Sequence, residues 1–172
     1  QFVEQLGGLA GVRVVLPPAG LLDNYRTPAD RAGLRDWLRR TAPTADAAIV
    51  SVDMLTHGSL LASRRNAGTA ADAEATVALL AEVHRANPRL KIYAFNIIPR
   101  LLPSDDGDVR YQQQMMEFSV LKDTVLAFEN PLERDRLAQL SREIPPAVVS
   151  RYQALYEANT QLNLRLVALV EE

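Results

Sequence analysis

Three short runs rich in β-branched residues, with helical patterns between them, constrain this chain more than any other feature. They occupy residues 12–17 (VRVVLP), 47–52 (AIVSV preceded by Ala47) and 91–98 (KIYAFNII). The first two are almost continuously apolar, the pattern of strands covered on both faces of a parallel sheet. Between them, Thr27-Pro28-Ala29-Asp30 reads as a helix start. Thr27 caps, Pro28 takes the first helical position, and Asp30 sits at the positive helix end. Leu34, Trp37 and Leu38 give that helix an apolar face. Thr69 with Asp72 marks a second start, and Ala75, Leu79, Val83 and Ala86 carry the pattern on to a stop at Asn87-Pro88. Such alternation implies right-handed crossovers. The expected fold class is α/β, with a parallel sheet of three strands or slightly more and flanking helices. It would be Rossmann-like or a partial barrel, ending in a long C-terminal helix.

The rest of the chain reads as helix. Phe2, Leu6 and Leu9 suggest an opening helix with Gly11 near its end. Residues 111–128 are a further helix through Met115, Phe118, Leu121 and Val125, and residues 131–140 a short one. Val148, Tyr152, Leu155, Asn159, Leu162, Leu166 and Leu169 then alternate spacings of four and three. This predicts a long amphipathic helix from near Pro145-Pro146. Asn159 interrupts its apolar seam, either as a register-setting polar residue or as an amide offered to a ligand. The expected organisation is one α/β domain over residues 1–172, with residues 131–172 as a helical extension. Helical patterns at both ends lack start and stop signals, so the chain is expected to be part of a larger protein. Its remaining segments would be its first partner, and the 146–170 helix offers a face for an oligomer.

Composition removes several function classes. The 172 residues carry 19 Lys+Arg against 21 Asp+Glu, a formal net charge of −2, without the basic excess of a dedicated nucleic-acid surface. Cysteine is absent, which excludes disulfides and thiolate metal sites. No apolar run reaches the roughly 18 residues of a membrane span, and no signal peptide is visible; a cytoplasmic location is expected. Only Lys91 and Lys122 among the basic residues are lysines, so arginine abundance by itself says little about anion binding.

Loop lengths point to one edge. Helix-to-strand links are short, at residues 41–46 and 87–89, whereas strand-to-helix links at 18–26, 53–68 and 99–108 are long. Compact α/β units mostly use about 2–6 residues, and ligands bind outside the carboxyl ends of parallel strands. Asp53 falls where the second strand should end. Its carboxylate suits a general base, a metal ligand or an anchor for a cationic group; equally, it could cap a local turn. His57 could share a proton or a divalent metal with Asp53, but no second histidine lies nearby to complete a zinc set. Arg64 could fork onto a carboxylate or phosphate, or pair within the protein. After the third strand, Asn96 could hydrogen-bond a ligand and Arg100 could join Arg64 as an anion clamp. Asp23, Tyr25 and Arg26 border the same edge. Residues 103–108 are acidic and turn-rich but lack the ligand spacing of an EF-hand. Ser59 and Ser63 lack a nucleophile elbow, and no phosphate-binding glycine motif occurs.

Ser51-Val52-Asp53-Met54-Leu55, Gly58 and Leu61-Ala62-Ser63-Arg64 together resemble the signature of the bacterial domain of unknown function 4127 family. The stretch from Leu90 to Arg100 is similar to the family's next block. Arg151-Tyr152, Asn159 and Asn163 resemble a third. His57, Ser59 and Ala158 depart from the residues usual at those places. The resemblance implies a larger protein, with an acidic segment before this region and an Asp-rich block after it. It implies which loops matter and names no reaction. The expected function is hydrolase-like action on a polar small molecule, a carbohydrate or phosphorylated metabolite. Asp53 would be catalytic, and His57, Arg64, Asn96 and Arg100 would bind ligand. The alternative is a non-catalytic binding, regulatory or assembly module.

Overall fold

The computed structural model describes residues 2–25, 27–65, 68–98, 108–128 and 131–171. Helix α1 spans Phe2–Leu9, and α2 spans Arg31–Thr41. The α2 cap is Asp30, whose side chain accepts from the Gly33 backbone N–H, so the helix starts later than Thr27 suggested. Strand β1 (Ala47–Ser51) leads directly into α3 (Val52–His57) and the single turn α4 (Leu60–Ser63). The second long link is therefore largely helical. Ser51 caps α3 by accepting from Met54 N–H, and Gly58 ends it at φ 92°, a left-handed conformation that glycine adopts without strain. Helix α5 (Ala70–Ala86) starts at the predicted Thr69–Asp72 pair, which forms a full capping box. Strand β2 (Lys91–Phe95) is followed by α6 (Gln112–Phe128), α7 (Pro131–Glu143) and α8 (Pro146–Glu171).

Among the described residues the sheet has two strands, paired in parallel from Ala47↔Lys91 to Ser51↔Phe95. The α/β class and parallel pairing stand, while the expected third strand at residues 12–17 does not form. That segment turns back on α1: Val12 N–H donates to Gly7 O at 2.8 Å. A Cβ at Gly7 would lie 2.3 Å from Val14 Cγ2, so the close approach needs glycine. A continuous apolar run shows that a segment can be buried, not that it joins a ladder.

Among the described residues two cores organise the fold. The first joins the inner side of the sheet, through Val50, to Leu34 and Leu38 of α2, Leu55 of α3, and Leu79, Leu80 and Val83 of α5. The second joins Met115 of α6, Leu140 and Ile144 at the end of α7, and Val148 and Tyr152 of α8. Helix α8, 26 residues long, serves both. Its first turns build the second core, and Leu166 and Leu169 pack against the first. The opposite sheet face, with Ile49 and Tyr93 paired across the ladder, is exposed.

Candidate functional site

Asp53 stands in the first turn of α3, immediately beyond the carboxyl end of β1, and is only 1% exposed. Continuing the strand register past Ser51↔Phe95 brings it opposite Ile97. Its Oδ2 accepts from Ile97 N–H at 2.8 Å. Oδ1 is buried without a partner, and so are both Oδ1 and Nδ2 of neighbouring Asn96. Burial pushes the Asp53 carboxyl above its usual range, against the Ile97 hydrogen bond, which favours the charged form. Helix α8 reaches the same loop: Asn159 Nδ2 donates to Ile97 O at 3.0 Å, and Asn163 Nδ2 donates to Asn159 Oδ1 at 3.0 Å. The Asn that breaks the apolar seam of α8 thus ties that helix to the strand end. The structure therefore gathers Asp53, Asn96, Ile97, Asn159 and Asn163 at one edge.

His57 lies one helical turn beyond Asp53 but is engaged elsewhere. Its Nδ1 accepts from Gly68 N–H at 3.0 Å. Burial first, and the nearby Arg31 charge second, lower its pKa, so the ring is neutral at pH 7. It lines a separate opening of about 220 Å³, shared with Gly68, the start of α5 and the middle of α8. Arg64 follows α4 with no side-chain partner among the described residues. No described contact brings it to Asp53 or Asn96. Arg100 and Arg26 lie outside the described residues, as do residues 99–107 of the acidic loop. Tyr25 stands exposed at the tip of a turn closed by Asn24 and Thr27. Among the described residues no three His, Cys, Asp or Glu side chains gather to hold a metal, and no helix is long and apolar enough to cross a membrane.

Sequence reasoning missed the charged hub beneath this edge. Asp72, which completes the α5 capping box with Thr69, receives Arg31 Nη1 at 2.8 Å and Arg35 Nη2 at 3.0 Å. The same guanidiniums donate to the Thr56 and Leu55 carbonyls at the end of α3, which lack helical partners. Two arginines four apart on α2 were the available signal. Their target could be known only once α2, α3 and α5 met.

The sequence pattern of a family described as Protein of unknown function (DUF4127) matches residues 1–172. The chain belongs to this family. No curated protein and no solved structure matches it. In this DUF4127 chain, the blocks around Asp53, Asn96 and Asn159 lie far apart in sequence, and the hydrogen bonds through Ile97 join them.

Proposed function

We propose that the carboxyl edge of β1 and β2 binds a hydroxyl-rich small molecule and that Asp53 acts there as a hydrolase-type acid/base. One observation carries this reading: Asp53 Oδ1, Asn96 Oδ1 and Asn96 Nδ2 are each buried without a partner, and Ile97, next to Asn96 in the chain, donates its N–H to Asp53 Oδ2. Buried polar groups are nearly always satisfied, so such a group calls for a ligand, an ion or a bound water. A hydroxyl complements the set, because it can donate to Asp53 and accept from the Asn96 amide, while a second hydroxyl donates to Asn96 Oδ1. A carboxyl whose pKa is raised by burial holds its proton more readily than a free one, as an acid/base group must. The three atoms are sealed from solvent, so access requires a movement that uncovers them. The Asn159–Ile97 bond holds α8 to this edge.

The test is a thermal-shift and calorimetric panel of sugars, polyols, sugar phosphates and divalent metals on the intact protein, with Asp53→Asn alongside. A ligand of the native state raises apparent stability. The expected result is a sugar or polyol that stabilises the wild type and loses most of that effect with Asp53→Asn. Equal responses of the two proteins to every compound would remove Asp53 from the site.

A further inference from the structure

The opening beside His57 differs from the Asp53 edge in what it offers a ligand. Gly68 N–H donates to His57 Nδ1, so the proton of the neutral ring resides on Nε2. His57 is only 9% exposed. Its Nε2 has no partner among the described residues, yet it is not among the polar atoms sealed from solvent, and the ring lines the opening. A second donor set adjoins it. Thr69 satisfies Asp72 N–H, whereas the N–H groups of Ala70 and Ala71, the first two of the 17-residue helix α5, have no described partner. Ala70 also lines the opening. The carboxylate at this helix end, Asp72, is already held by Arg31, Arg35 and Thr69. At the rim, Arg165 is shared with Glu74. The wall also includes Ala73, Ala158 and Leu162, together with the polar Gln161.

We propose that this opening binds a small aliphatic monocarboxylate, distinct from the ligand of the Asp53 edge. Its carboxylate accepts from His57 Nε2–H and Ala70 N–H at the positive end of α5. Its short tail lies against Ala73 and Leu162. A volume of about 220 Å³ suits a molecule of roughly five to seven heavy atoms, taking about 30 Å³ per water-sized group. Inorganic phosphate fits less well, because the one guanidinium lining the opening is already shared with Glu74 and part of its polar surface would face Ala73 and Leu162.

The test is an amide NMR titration of the ¹⁵N-labelled intact protein with propionate, and separately with inorganic phosphate, at constant ionic strength. Propionate is expected to give saturable shifts at Gly68 and Ala70. His57→Asn keeps an acceptor for Gly68 N–H but removes the Nε2 donor. Ala70→Pro removes one N–H at the first helical position, where proline is well tolerated; the extended Thr69 before it (φ −86°, ψ 168°) suits a following proline. Each substitution is expected to weaken propionate binding about tenfold or more. Ala70→Pro keeps the test decisive if His57→Asn fails to fold. Shifts that never saturate, phosphate binding as tightly as propionate (an adventitious ion only), or wild-type affinity in folded Ala70→Pro would each overturn the proposal.

Discussion

Replacing Asp72 by Asn probes the hub that joins α2, α3 and α5. The amide keeps the shape of the carboxylate and can still accept from Thr69 N–H, but it loses the charge facing Arg31 and Arg35. Burial raises the Asp72 pKa, but the hydrogen bonds from the Thr69 backbone, Arg35 and the Thr69 hydroxyl, with the Arg31 charge, outweigh it and hold the pKa at about 2. The ordinary value is 3.8. A gap of this size corresponds to about 2.4 kcal/mol at 1.36 kcal/mol per unit. The side chain keeps 18% of its surface exposed, and screening by water reduces the expected contribution to about 1–2 kcal/mol. Because the folded-state pKa is depressed, this stability is fully present above 3.8 and lost as pH falls through about 2. Urea unfolding of wild type and Asp72→Asn at pH 7, 5, 3 and 2 would therefore show a difference of about 1–2 kcal/mol at the two higher values. The difference would shrink at pH 3 and be smallest at pH 2. A difference that stays constant across that range would show that Asp72 acts through shape or capping, and the charge argument would fail.

Other consequences are simpler to measure. Asp53→Asn is expected to raise the urea midpoint at pH 7, because burial elevates the folded-state pKa of Asp53. Its ionisation then costs stability as pH rises through that value, and the gain should vanish below the ordinary 3.8; a lower midpoint at pH 7 would contradict this. Gly58→Ala should cost about 2 kcal/mol or more by the same assay, since φ is 92° and the new Cβ would lie 2.8 Å from Pro28 Cβ. An unchanged midpoint would mean that the α3 end can rearrange. Leu140→Ala, at a side chain with 0% exposure, should cost about 2–5 kcal/mol. Amide exchange should localise that loss to α6, α7 and the first half of α8, and a uniform loss across β1 and β2 would show that the two cores unfold together.

Much of the helix pattern was legible because capping and amphipathicity are local. Thr69 and Asp72 lie within one turn, so their mutual hydrogen bonds follow from sequence spacing. The 3.5-residue rhythm from Val148 to Leu169 likewise required a long helix. Residues 12–17 show the limit, since their apolar run carries no information about its pairing partner. The link after β1 shows another: Ser51, read within the strand run, and Ser59, read as a loop residue, are the caps of α3 and α4.

At the candidate site, sequence alone placed Asp53 and Asn96 at the ends of successive strands, because loop length and strand patterning fix which edge they occupy. Tertiary structure decided what each does there. The parallel register set Ile97 N–H against Asp53, and α8 returned Asn159 to the same backbone from 62 residues away. It also turned His57 toward Gly68, and so toward a different opening. Local propensity acts within a few residues and can be read along the chain. A buried group's partner depends on which distant segment fills the space beside it, and only packing settles that.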